Sequence, residues 1–129
     1  MRFDDAALPD WKPVRHQLGI EAFGTNAYVA ANPGDVVIER HDEVPEAGEP
    51  ANQELYLVLG GRARFTVDGS SFDVDPGGIV FIDDPQLVRE AVAVKPQTVV
   101  FAVGGPPEDV FTPSEWEKRF LAQGRGDAT

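Results

Sequence analysis

Cysteine is absent from this 129-residue chain, which removes disulfides, thiolate metal sites and cysteine nucleophiles together. Histidine is scarce: His16 and His41 are the only imidazoles, so no site built from three of them can form within one chain. Basic residues are few, 11 Lys and Arg against 22 Asp and Glu, for a formal net charge of -11. Nucleic-acid binders need basic patches to displace counterions, and this balance argues against that class. No apolar run approaches the ~20 residues of a membrane-spanning helix. Met1 to Asp10 carries acidic residues and lacks the apolar stretch of a signal peptide. The expectation is a single cytoplasmic domain over residues 1–129 with one hydrophobic core, and with neither nucleic acid nor membrane as a partner.

Glycine and proline are plentiful, 13 and 11, and scattered along the chain. They punctuate short apolar runs that read as strands: Val14–Leu18, Phe23–Ala31, Val36 toward His41, Gln53–Gly69 with a break, Ser70–Val74, Ile79–Ile82, Leu87–Val94 and Thr98–Val103. Asn32-Pro33-Gly34-Asp35 and Asp75-Pro76-Gly77-Gly78 are turns, because Pro sets φ and Gly tolerates the left-handed angle that follows. Residues 44–52 are rich in Pro, Glu and Gly and predict an exposed loop. Strands at 8–12-residue spacing with turn signals between them predict an all-β sandwich or barrel, its core at about 14–104. One helix is expected at the end, about 113–122. Thr112-Pro113-Ser114-Glu115 forms a capping box ahead of Trp116, Phe120 and Leu121, and Gly124 stops it.

The centre of the pattern is Gln53–Gly69, where Gly60-Gly61 divides two β-prone runs and predicts a tight hairpin. Alternation places Glu54, Tyr56 and Val58 on one face and Leu55, Leu57 and Leu59 on the other. A carboxylate entering a packed β interior needs a partner, a metal or a ligand. Glu54 is therefore either a pocket carboxylate near His41 or Arg89, or a rim carboxylate paired with Arg62, Arg64 or Arg89. Arg89 and Glu90 fall on opposite faces, and a one-residue slip decides which of them is inward.

These features resemble a small single-domain cupin over roughly Asn32 to Val103. Gly34 opens the first cupin motif, and Glu54 followed by six residues and Gly61 closes it. Between them His41 lies one residue late, Glu43 stands at the second His, and ten residues instead of three or four precede Glu54. In the second motif Pro76-Gly77 and Ile79-Val80-Phe81-Ile82 match in shape, but Asp83 replaces the Pro, Pro85 the Gly, Val88 the ligand His and Val92 the Asn. The chain most resembles small bacterial cupin-domain proteins of undefined function that lack the metal histidines. The resemblance implies a double-stranded β-barrel, or jelly roll, with one short C-terminal α-helix.

It also implies where chemistry would sit. Cupin metals are usually held by three imidazoles and a carboxylate inside the barrel, which this chain cannot assemble. No cofactor is expected; if a divalent metal were bound, His41, Glu43 and Glu54 would be its ligands. His41, Glu54, Tyr56, Phe81, Val88 and Arg89 are the candidate ligand-binding residues. Three functions follow: a cupin binding a small, mostly apolar molecule in the barrel; an isomerase, lyase or degenerate metal-dependent oxygenase using Glu54 and His41; or a dimerisation scaffold. Leu55, Leu57 and Leu59, looking outward, need a cover, and a homodimer is expected to supply it.

Overall fold

A computed structural model of the chain describes residues 9–48, 51–107 and 115–123. Among the described residues nine strands form: β1 (Asp10–Lys12), β2 (Gly24–Ala30), β3 (Val36–His41), β4 (Gln53–Gly60), β5 (Ala63–Val67), β6 (Ser70–Val74), β7 (Ile79–Ile82), β8 (Arg89–Ala93) and β9 (Thr98–Gly105). They make two antiparallel sheets, one ordered β1-β2-β9-β4-β7 and the other β3-β8-β5-β6. The fold is an all-β jelly roll. Among the described residues no helix is long and apolar enough to cross a membrane.

Alternation along β4 comes out as read. Tyr56 and Val58 are 1% and 0% exposed, whereas Leu59 on the opposite face is 54% exposed. The inward residues share one core with Val37 and Phe65 of the facing sheet and with Val100 of the neighbouring strand β9, all fully buried, and the Tyr56 and Phe65 rings lie 5.6 Å apart. Burying each such side chain is worth about 1.5–3 kcal/mol. The outer face of the same sheet stays partly open: Leu55 pairs with Phe81 and Leu57 with Ile79, and Ile79 and Phe81 remain well exposed.

Two expectations are corrected. Val14–Leu18 is not a strand but a short helix, α1, closed by Gly19 at φ 71°. Its neighbour Pro13 cannot donate to a ladder, and the five residues bury no side chain fully. The C-terminal helix, α2, spans Glu115–Ala122; Thr112, Pro113 and Ser114 lie outside the described residues, as do the side chains of Trp116, Phe120 and Leu121. The Gly60-Gly61 break is not a hairpin. β4 pairs with β7 and β9, whereas β5 pairs with β6 and β8, so the glycines form a corner that carries the chain from one sheet to the other. A Cβ on Gly61 would lie 2.3 Å from Thr98 Oγ1 at a φ of 72°, so only glycine fits where the two sheets close. The tight hairpin is one step later, at Asp68-Gly69, where φ is 50° and 88°. Two consecutive positive angles there are what an Asp-Gly turn supplies.

Candidate functional site

The two sheets meet at one end of the barrel around Glu54. β4 delivers Glu54 and Tyr56 from the five-stranded sheet. From the other sheet, β3 and β8 pair so that His41 stands opposite Arg89. The Asp83–Leu87 turn is shaped by hydrogen bonds from the Leu87 and Gln86 amides to Asp84 O and Oδ1. Its Pro85 carbonyl accepts the Glu43 amide at 2.9 Å, which draws Glu43 to the site.

Arg89 is fully buried. Its guanidinium donates to Leu87 O at 2.9 Å and 3.1 Å, to Asp84 O at 3.2 Å and to Glu54 Oε1 at 2.8 Å. The Tyr56 hydroxyl donates to that same oxygen, and His41 Nε2 faces it at 3.5 Å. Nε2 also lies 3.0 Å from the Glu43 carboxylate, while Nδ1 reaches Glu39 O at 2.7 Å. Both ring nitrogens face acceptors, an arrangement that suits the doubly protonated imidazolium.

The charges follow from these contacts. Hydrogen bonds to the Glu43 and Glu54 carboxylates, outweighing burial, raise His41 from its ordinary 6.5 to about 10. Burial alone pushes Glu54 up, but hydrogen bonds from His41, Tyr56 and Arg89 together hold it below the usual carboxylate value. Burial, and then the negative charge of Glu54, push the Tyr56 hydroxyl up. Tyr28 is raised in the same way, by burial first and then by Glu54, Glu43 and Glu39. At neutral pH the His41 imidazolium thus faces an ionised Glu54, with the neutral Tyr56 phenol beneath them.

The barrel interior behind Glu54 is filled by Tyr56, Phe65 and Val58. The open space lies at the mouth. A groove of about 760 Å³ runs past Phe23, Leu55, Phe81, Val103 and Pro106 and ends on Glu54. A neighbouring cleft of about 370 Å³ shares Glu21 with the groove and adds Arg15, Asn26 and Asn52 around Glu54. A third, about 350 Å³, lies beside Tyr28 and His41.

Glu54, His41, Glu43, Tyr56 and Arg89 are therefore brought together. Glu54 pairs with Arg89 across the barrel and not with Arg62 or Arg64, which bind Asp75 and Asp73 outside. Val88 is not the inward residue: it is half-buried just ahead of β8, and Arg89, one position later, takes the inward place. Glu90 points away and meets Arg40 at 3.3 Å. Phe81 does not line the interior; it pairs with Leu55 on the outer face, is 56% exposed, and borders the groove from outside. His16 sits exposed on α1 and takes no part in the cluster. Phe23, Asn26, Tyr28 and Pro106 were missed. They lie near strand ends or on β2, far in sequence from Glu54, and no local spacing marks them.

No protein-family model matches the chain, and no curated protein does. Solved structures do match. A cupin protein from Bacteroides fragilis superposes at a TM-score of 0.60 and 17% identity, over 88% of each chain. The chain has the cupin fold. The Cupin_2 domain of an XRE family transcriptional regulator from Enterobacter cloacae is similar at 0.60 and 17%, over 78% of this chain and 99% of that one. KdgF from Halomonas sp. is similar at 0.53 and 17%, over 65% and 68%. At such identities the likeness is one of cupin architecture.

Proposed function

We propose that this cupin domain binds a small, mostly apolar molecule at the open Glu54 end of its barrel. The observation that carries the reading is the 760 Å³ groove, whose wall of Phe23, Leu55, Phe81, Val103 and Pro106 ends on a carboxylate. Pockets with an apolar wall and a few fixed polar groups are the usual form of small-molecule sites. The three contacts to Glu54 all end on Oε1, so the ligand's polar end, a hydroxyl or amine, is taken by Oε2. A packed interior favours a ligand at the barrel mouth over one at its centre.

Acid–base catalysis by Glu54 and His41 is the weaker reading. His41 is held charged well above neutrality and Glu54 is held ionised, so neither is poised to exchange a proton near pH 7.

Ligand-observed NMR with benzyl alcohol, benzylamine and benzoate tests the binding reading. The alcohol and amine are expected to bind wild type and benzoate to bind least. Phe81→Ala should weaken both binders, and Glu54→Gln should weaken the amine most. Preference for benzoate, or indifference to Phe81→Ala, would sink the reading.

A further inference from the structure

The cupin fold implies a metal, and His41, Glu43 and Glu54 offer ligand atoms within 4.8 Å of one another. One imidazole and two carboxylates are a chemically competent donor set for a hard or borderline dication. His41 even carries the hydrogen bond from its second nitrogen to a backbone carbonyl that orients metal-ligating histidines. The set nevertheless does not fit a metal, and the reason is Arg89.

Counting charge shows why. Glu43 and Glu54 contribute two negative charges, the His41 imidazolium and the Arg89 guanidinium two positive ones, and the sum is zero. A dication replacing the His41 proton would leave two negative charges against three positive ones. That surplus would lie beside a guanidinium that is fully buried and held by Leu87 O, Asp84 O and Glu54. Arginine is the cation of fixed charge among side chains, and this one is fully buried and tied to two backbone carbonyls. Without Arg89 the same dication would bring the cluster back to neutrality.

We propose that Arg89 is the resident cation of this barrel: its buried guanidinium stands against Glu54 in place of a divalent metal and excludes one. A charge that elsewhere comes from a bound ion is here part of the chain. The carboxylate is then oriented whether or not any metal is available. This inference concerns the Arg89 side of Glu54 and does not depend on what the groove binds.

The test is titration of the full chain with Zn²⁺ and, for its visible spectrum, Co²⁺, followed by calorimetry and thermal melting. Wild type is expected to take up no stoichiometric ion, and its melting should be indifferent to EDTA. Arg89→Met removes the charge, and Arg89→His replaces it with a further imidazole. Each variant that retains the β-sheet circular dichroism should bind one ion at least about 100-fold more tightly than wild type, the order expected on removing a unit charge a few ångströms away. Adding His41→Ala to either variant should abolish that binding. One ion per wild-type chain, lost on His41→Ala, would overturn the proposal. So would a folded Arg89→Met or Arg89→His that binds no more tightly than wild type.

Discussion

Replacing Glu54 with leucine removes the anion on which the barrel mouth converges. Arg89 keeps its two carbonyl partners but loses its charge partner while fully buried. Stranding one member of a buried ion pair costs about 3–5 kcal/mol. The Tyr56 hydroxyl, which donates to Glu54 and is 1% exposed at the residue level, also loses its acceptor, at about 1–3 kcal/mol. Glu54 itself is 18% exposed at the side chain, so some water reaches the gap and the lower half of the combined range, about 4–6 kcal/mol, is expected. For a chain of this size that is a fall in Tm of roughly 10–25 °C. The informative measurement is a double-mutant cycle. Arg89→Met alone strands Glu54 and should also destabilise. The pair Glu54→Leu with Arg89→Met replaces both charges by apolar groups and should cost less than the two single changes added together, by about 1–3 kcal/mol. Urea denaturation of the four proteins at pH 7 gives all the terms. Strict additivity would refute the reasoning, since it would mean that Glu54 and Arg89 do not interact.

Stability should depend on pH in a defined window. His41 is raised from 6.5 to about 10 in the fold, so its contribution is fully present below 6.5 and is lost as pH rises toward 10. Glu54 is lowered from 4.5, so its contribution is present above 4.5 and lost as pH falls. Denaturation midpoints should therefore peak between these values, and His41→Gln should flatten the alkaline limb; an unchanged limb would contradict the assignment. Gly61→Ala should prevent folding or destabilise severely, because its Cβ would fall 2.6 Å from Thr98 Cα. Gly69→Ala, with nothing within 4 Å, should cost only the about 1–2 kcal/mol of left-handed strain, and equal effects in thermal melts would show the corner is not close-packed. A homodimer is proposed through the outer face. Leu59 and Ile79 are exposed there, and β7 is an open edge of four apolar residues, the kind of edge that invites pairing with a second chain. Sedimentation at low micromolar concentration should show a dimer that Leu59→Glu converts to a folded monomer; a monomeric wild type would rule it out.

Local chemistry determined much of this protein. Period-two alternation told Glu54, Tyr56 and Val58 from Leu55, Leu57 and Leu59, because strand geometry leaves adjacent side chains no choice of face. The Pro-Gly turns and the strand spacing were enough for an all-β sandwich or barrel, and the motif resemblance narrowed it to the jelly roll. The same local signals could not say which strands pair. Gly60-Gly61 and Asp68-Gly69 both satisfy hairpin chemistry, and only closure of the two sheets on Thr98 makes the first a corner and the second a hairpin. Nor could they choose between Val88 and Arg89 at the inward place. That depends on the single-residue register of β8 against β3 and β5, set by long-range hydrogen bonds. Glu43 reaches the cluster through one tether to Pro85, 42 residues further along the chain. The site is an ion network whose members come from three strands and a loop, and its charge balance exists only once Arg89 is carried across the barrel to Glu54. A linear pattern lists the charges, but their energies depend on separation and burial, and these are set by the tertiary structure.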